Sequence, residues 1–188
     1  MIRLLCAACL LIAAGPLGAA EISGVKIDDT ARVGGTPLGL NGAGKRTRLV
    51  FDVYVAALYL TAKRANAQEV LDAPGPKRVT MSLMRDLSAD RLTEALQDGI
   101  KLNTSQAALD AIRPQLEALV AAIRSIGAAS KGDVISIDFL ADGSTQLALN
   151  GAPKGNPIAG GAFQRALLGV WLGEKPVQAD LKSALLGG

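Results

Sequence analysis

The stretch Leu40–Thr61, LNGAGKRTRLVFDVYVAALYLT, limits what this chain can fold into more than any other. From Val50 to Leu60 it runs through valine, phenylalanine, tyrosine and leucine, a density that suits a pleated, buried surface rather than a helix. Ahead of it, Lys45-Arg46-Thr47-Arg48-Leu49 reads as a short basic strand. Asn41-Gly42-Ala43-Gly44 reads as a glycine turn, because glycine enters positive φ without steric cost. Both tyrosines, Tyr54 and Tyr59, fall in this stretch. At a spacing of five residues in a regular strand they point to opposite faces. The polar grip of any binding site is expected here.

The flanking segments carry their own signals. Glu21–Asp28 is expected as a first strand, Asp29–Pro37 as a turn-rich connector, and Lys77–Met84 as a strand with Val79, Met81 and Leu83 on one face. Asn66 precedes a short helix over 66–72 as its N-cap, and Pro74-Gly75-Pro76 stops it. Ser88 opens a helix reaching Asn103 with Leu92, Leu96 and Ile100 at helical spacing. A second helix is expected from about Ser105 to Ile126, stopped by Gly127 and kinked or broken at Pro114. Strands over Val134–Leu140 and Thr145–Leu149 are joined by the hairpin signal Asp142-Gly143. After the turn Asn150-Gly151 come a glycine-rich loop over Pro153–Gly161 and helices over Phe163–Leu172 and Asp180–Leu186. Hairpins beside a helical block, without regular strand–helix alternation, make this an α+β chain with a mainly antiparallel sheet.

Met1–Ala20, MIRLLCAACLLIAAGPLGAA, has one arginine, an apolar run from Leu4 to Ala14, a Gly15-Pro16 break and small residues up to Ala20. That is the pattern of a secretory signal peptide cleaved after Ala20. A retained anchor would want about 20 apolar residues, more than this run supplies. The residues before Cys6 and Cys9 make a poor lipid-attachment signal. The expected destination is the periplasm, with residues 21–188 as the folded domain and no membrane span after cleavage.

Loss of the leader also removes both cysteines, and the chain has no histidine. Disulfides, thiolate chemistry, histidine general bases and most zinc sites go with them, so neither a cofactor nor a metal is expected. The charge falls from 20 Lys+Arg to 19 on losing Arg3, against 17 Asp+Glu, a net of +2. With 3% aromatic residues, that is no signature of nucleic-acid binding.

Four segments in order give the chain a family resemblance. They are Gly42-Ala43-Gly44-Lys45-Arg46; Val53-Tyr54-Val55-Ala56-Ala57-Leu58-Tyr59-Leu60; Met84-Arg85-Asp86-Leu87-Ser88-Ala89-Asp90; and Ala166-Leu167-Leu168-Gly169-Val170-Trp171-Leu172-Gly173, followed by Pro176 and Leu181-Lys182. In these the sequence resembles the chalcone isomerase superfamily, in its bacterial secreted branch. The resemblance implies an open-faced sandwich: a large antiparallel sheet, a helical layer on one face and a cleft between them. It also implies two function classes. The plant enzymes cyclise chalcones with an arginine, a threonine, a tyrosine and an asparagine. Non-catalytic relatives hold a fatty acid by its carboxylate, with the same arginine and a nearby tyrosine.

Carried onto this chain, the arginine is Arg46 and the strand threonine falls on Tyr54, the residue type of the fatty-acid binders. The enzymes' tyrosine falls near Leu92, their asparagine near Gly99, and a further polar position on Val170. The resemblance therefore implies a binder of a fatty acid or similar apolar carboxylate, with Arg46 and Tyr54 as ligand-binding residues. An isomerase using Arg46 is the alternative. Each candidate also has a plain structural reading. For Arg46 it is a solvated strand face shared with Arg48, and for Tyr54 core packing with the hydroxyl at the edge. Tyr59 and Trp171 read as structural, Asp86 and Asp90 as helix caps. The Asp133, Asp138 and Asp142 series lacks the glycine and glutamate of a calcium loop.

Overall fold

Seven strands pair edge to edge into one sheet, the inner ones because each carries an apolar face that must leave water. The computed structural model describes residues 20–188; the expected leader, apart from its last residue Ala20, lies outside the described residues. The strands are β1 (Ala20–Ile22), β2 (Val25–Ile27), β3 (Thr30–Val33), β4 (Thr36–Arg48) and β5 (Phe51–Leu60). Helix α1 (Ala67–Asp72), β6 (Lys77–Leu83), the two-residue β7 (Leu87–Ser88) and α2 (Ala89–Asn103) follow. Then come α3 (Gln106–Ala111), α4 (Arg113–Ile126), β8 (Ala128–Ala129), β9 (Val134–Phe139), β10 (Ser144–Leu149), β11 (Ala152–Ala159), α5 (Gly161–Leu172) and α6 (Ala179–Leu185). The main sheet runs β11-β10-β9-β6-β5-β4-β3, and every neighbouring pair is antiparallel. This is the α+β, mainly antiparallel architecture expected from the sequence.

Interior strand β5 explains its own composition. Tyr54, Ala56, Leu58 and Leu60 face the helices, in a core shared with Leu92, Leu96, Ile123, Leu167 and Trp171. Val55, Ala57 and Tyr59 face the other way, onto Ile27, Val33 and Leu38. Burial on both faces calls for a continuous apolar run rather than alternation. The two tyrosines are thereby separated, one in each core. Strand β6 alternates instead, with Val79, Met81 and Leu83 buried.

Local signals that depend on nearest neighbours hold. The Asn66 side chain accepts from the Gln68 and Glu69 amides, and the Ser88 hydroxyl from the Arg91 amide. Asn150 and Gly151 both take positive φ, 51° and 79°, the left-handed pair that a tight hairpin needs. Ser88, rather than Asp86, caps α2; Asp86 accepts from the Lys131 amide at 2.9 Å. The three aspartates of the discounted calcium series have separate duties. Asp138 pairs with Arg78, Asp133 accepts from Ser130 and Asn150, and Asp142 from Ser144.

Several expectations are corrected by long-range contacts. Asn41–Gly44 is not a turn; β4 runs straight through it, and the chain reverses at Leu49-Val50. The glycines are there for close approach. A Cβ on Gly42 would lie 2.1 Å from the Ala184 carbonyl oxygen, and one on Gly44 2.7 Å from the Ala184 Cβ. Helix α6 thus lies against bare backbone. The connector expected over 29–37 contains β3 and the start of β4, turning at Gly34-Gly35, and the first strand is split by a Ser23-Gly24 turn into β1 and β2.

The helix expected over 105–126, with a kink or break at Pro114, is indeed broken, the division falling two residues earlier at Ile112. Pro114 then sits in the first turn of α4, where a missing N–H costs nothing. The loop expected over 153–161 is largely edge strand β11. Pro153 and Pro157 are tolerated because an edge strand has one side unpaired. Gly155, at φ 68°, lets β11 approach α4, since a Cβ there would lie 2.9 Å from that of Ala122. Among the described residues, no helix is long and apolar enough to cross a membrane.

Candidate functional site

Arg46 on β4 and Tyr54 on β5 stand directly opposite one another in the strand register. Opposed residues of an antiparallel pair share a face, with Cβ atoms about 5 Å apart. That face is the one covered by helices, so the two candidate ligand-binding residues are brought together. Just beyond them the register slips by one residue, leaving Val53 unopposed. The Val53 carbonyl accepts from the Met84 amide at 2.9 Å, which ties the hairpin to the end of β6.

Tyr54 is 8% exposed and belongs to the main core. Its phenol oxygen accepts from Trp171 Nε1 at 3.2 Å. Among the described residues no acceptor takes the phenol's own proton. Burial pushes the Tyr54 pKa up from its usual 10.0, against smaller opposing pulls from the Trp171 N–H and the Arg46 charge. The phenol therefore stays protonated at neutral pH, as a donor.

Arg46 is half-buried. Its guanidinium donates to the Thr47 carbonyl at 2.5 Å and to Gln178 Oε1 at 3.2 Å. Among the described residues it has no carboxylate partner. Asp52, the acid of this hairpin, is engaged elsewhere, accepting from Lys45 Nζ at 2.9 Å and Thr47 Oγ1 at 3.0 Å. The Lys45 contact, with Thr47 behind it, holds the Asp52 carboxyl below the usual carboxylate range.

Gln178 completes the group. It lies between α5 and α6, where its Oε1 also accepts from the Thr47 amide at 2.9 Å and its Nε2 donates to the Lys45 carbonyl at 3.3 Å. The connector 173–178 is thereby strapped over β4 beside Arg46. The set consists of a guanidinium, a protonated phenol and an indole N–H, with one amide as a neutral stand-in acceptor. Such a set recognises an anionic oxygen. It offers no general base.

The cleft implied by the resemblance is filled beside Tyr54. Leu92, Leu96, Val170 and Trp171 are each at most 4% exposed. Gly99 is buried as well, and a Cβ on it would lie 2.8 Å from Val170 Cγ1. None of Leu92, Gly99 and Val170 can move a proton. A cleft of about 650 Å³ exists elsewhere, between α2, α3 and α4, with Lys101, Leu109, Arg113 and Leu116 among its walls. Neither Arg46 nor Tyr54 lines it.

Sequence reasoning missed Gln178, which lies 132 residues from Arg46 and carries no local signal. It also placed Trp171 in the core without its bond to Tyr54, 117 residues away. A sole tryptophan facing a sole helix-side tyrosine was the available hint.

A family model described as chalcone isomerase-like matches residues 19–187. The chain belongs to the chalcone isomerase-like family. Among solved structures of this fold, a fatty-acid binding protein of Arabidopsis thaliana superposes with a TM-score of 0.62 at 14% identity, covering 84% of this chain and 95% of that one. At that identity the likeness concerns the fold. No curated protein matches the chain significantly.

Proposed function

We propose that this member of the chalcone isomerase-like family is an exported, periplasmic, non-catalytic binder of a fatty acid or similar apolar carboxylate. The head group sits on Arg46 and Tyr54. One observation carries the reading: among the described residues, a guanidinium without an acid partner stands opposite a buried phenol whose proton has no acceptor. A carboxylate supplies both missing acceptors, taking the place of Gln178 on Arg46. Charge-assisted pairs of this kind are shorter and stronger than the neutral amide contact they replace. The tail takes space now filled by Leu92, Leu96 and Val170, so binding requires the helical layer to part from the sheet. The apolar character of Leu92, Gly99 and Val170 favours binding over chalcone-type cyclisation, for which Arg46 would be left to act with Tyr54 alone.

The test is titration of the purified protein with a long-chain fatty acid, followed by Trp171 emission and by native mass spectrometry. Trp171 is the only tryptophan and touches Tyr54, so it reports on the site directly. Arg46→Ala is expected to weaken binding by about tenfold to a hundredfold, as for loss of a charged hydrogen-bond partner. Gln178→Ala is expected to strengthen it by removing the competing acceptor. Unchanged affinity in Arg46→Ala would refute the head-group assignment. Export is tested separately, by fractionating cells and reading the N-terminus of the recovered protein, which should begin at Glu21.

A further inference from the structure

The β4–β5 hairpin ends in a tip that contributes to neither core. Leu49 is 91% exposed, Val50 84% and Phe51 56%. Among the described residues, the other exposed large hydrophobic side chain is Leu102, which stands alone on α2. Single exposed apolar residues are ordinary, but three in succession at an extremity are not. Nor does the turn call for them. Leu49 takes φ 56°, a left-handed conformation suited to asparagine or glycine, and tight hairpins favour those residues. The tip bears leucine and valine where turn chemistry disfavours both.

Basic side chains surround this tip. Arg48 precedes it and is exposed. Arg85 is also exposed, and its guanidinium lies 5.2 Å from the centre of the Phe51 ring. The same end of the sheet carries the exposed Lys131, because Leu83 exchanges hydrogen bonds with Gly132 and Asp133. Of the acids at this end, Asp52 is paired with Lys45, whereas Asp86 accepts from the Lys131 amide and Asp133 from Ser130 and Asn150, neutral donors that leave both charged; the basic excess therefore lies at the tip itself, on Arg48 and Arg85.

From this arrangement we infer that the β4–β5 tip docks the protein onto an anionic lipid surface. Leu49, Val50 and Phe51 enter the boundary between head groups and acyl chains, while Arg48 and Arg85 pair with lipid phosphates. Three apolar side chains are too few for a stable protein–protein interface, which takes about 800 Å² from each partner. They suit the shallow insertion of interfacial anchors, about 5–10 Å deep, with a basic collar at head-group level. Arg46 lies three residues from Leu49 along β4, about 10 Å at the rise of a strand. A docked tip would therefore hold the Arg46–Tyr54 pair just above the lipid surface. Docking itself does not depend on the carboxylate reading; its use in loading or unloading a fatty acid does.

The experiment is co-sedimentation with vesicles of phosphatidylethanolamine and phosphatidylglycerol, and with vesicles of phosphatidylcholine alone. Protein is purified from cells expressing the whole sequence, and all variants are compared at the same N-terminus. Wild type is expected to sediment with the anionic vesicles, more weakly with the neutral ones, and less as salt is raised. Val50→Asp should lower partitioning by about tenfold or more while leaving the melting temperature unchanged. Arg48→Ala combined with Arg85→Ala should lower it by about tenfold at low salt, from the attraction of basic residues to an anionic surface. Absence of sedimentation by wild type, or equal sedimentation by wild type and Val50→Asp, would overturn the inference. So would a concentration-dependent dimer in the ultracentrifuge that Val50→Asp abolishes without any vesicle binding, since a second copy would then be the occupant. The two proposals separate cleanly. Val50→Asp should still bind fatty acid in solution, and Tyr54→Phe should still bind vesicles.

Discussion

Asn41 offers the sharpest test of how the C-terminal helix is held. It is 5% exposed and sits at the unopposed position where the β4–β5 register slips from Leu40–Tyr59 to Gly42–Leu58. Its Nδ2 donates to the Arg64 carbonyl at 2.9 Å and to the Leu185 carbonyl at 2.8 Å, and its Oδ1 accepts from the Arg64 amide at 2.7 Å. Leu185 ends α6, where carbonyls lack partners within the helix, so Asn41 caps that helix from another element. Three neutral hydrogen bonds at about 1 kcal/mol each, plus about 1 kcal/mol for the buried Leu185 carbonyl left unpaired, give roughly 3–4 kcal/mol for Asn41→Ala. At about 2–4 °C per kcal/mol for a chain of this size, the melting temperature should fall by about 10 °C.

Urea unfolding measures the loss, and amide hydrogen exchange locates it. The amides of Lys182 and Leu186, bonded within α6, should exchange earlier than those of β5. Asn41→Asp should lose at least as much, because it turns a carboxylate oxygen toward two carbonyl oxygens. Asn66→Ala supplies the scale: it removes an exposed cap with two amide contacts and should cost only about 1 kcal/mol. A loss below about 1 kcal/mol for Asn41→Ala, with α6 exchange unchanged, would refute this account of how the helix is held.

Gly42→Ala should destabilise by about 3 kcal/mol or more in the same urea assay, since the added methyl meets helix backbone rather than a movable side chain. Tyr59 should make the fold sensitive to alkali. Burial, with help from Asp28, pushes its phenol from 10.0 to about 12. The folded state then holds a proton that the unfolded state releases, so this stability is complete below pH 10 and lost as the pH rises through about 12. The slope amounts to roughly 2–3 kcal/mol and should flatten in Tyr59→Phe, as read by denaturant midpoints across that range. Asp138→Asn should cost about 1–3 kcal/mol by urea midpoint. It breaks a half-buried bidentate pair in which Arg78 Nε and Nη2 reach the carboxylate at 2.5 Å and 2.7 Å across β6 and β9.

What the sequence determined by itself is whatever depends on neighbours along the chain. The apolar run of β5, the alternation of β6, the caps Asn66 and Ser88 and the Asn150-Gly151 turn each follow from residues within a few positions. The opposite facing of Tyr54 and Tyr59 follows from strand period alone, and the family could be recognised from four short segments in order. Tertiary structure decided the rest. Gly42 and Gly44 look the same in sequence whether they turn the chain or let a helix from the far terminus lie against it, and only the position of Ala184 distinguishes the two. The Pro153–Gly161 segment became a strand because β10 offered it an edge. Arg46 and Tyr54 face each other by register, but Gln178 and Trp171 reach them from beyond residue 170, through contacts that no local pattern encodes. The filled space beside Tyr54 is likewise a property of packing, because only the meeting of Leu92, Gly99 and Val170 across two helices leaves it without room or polarity.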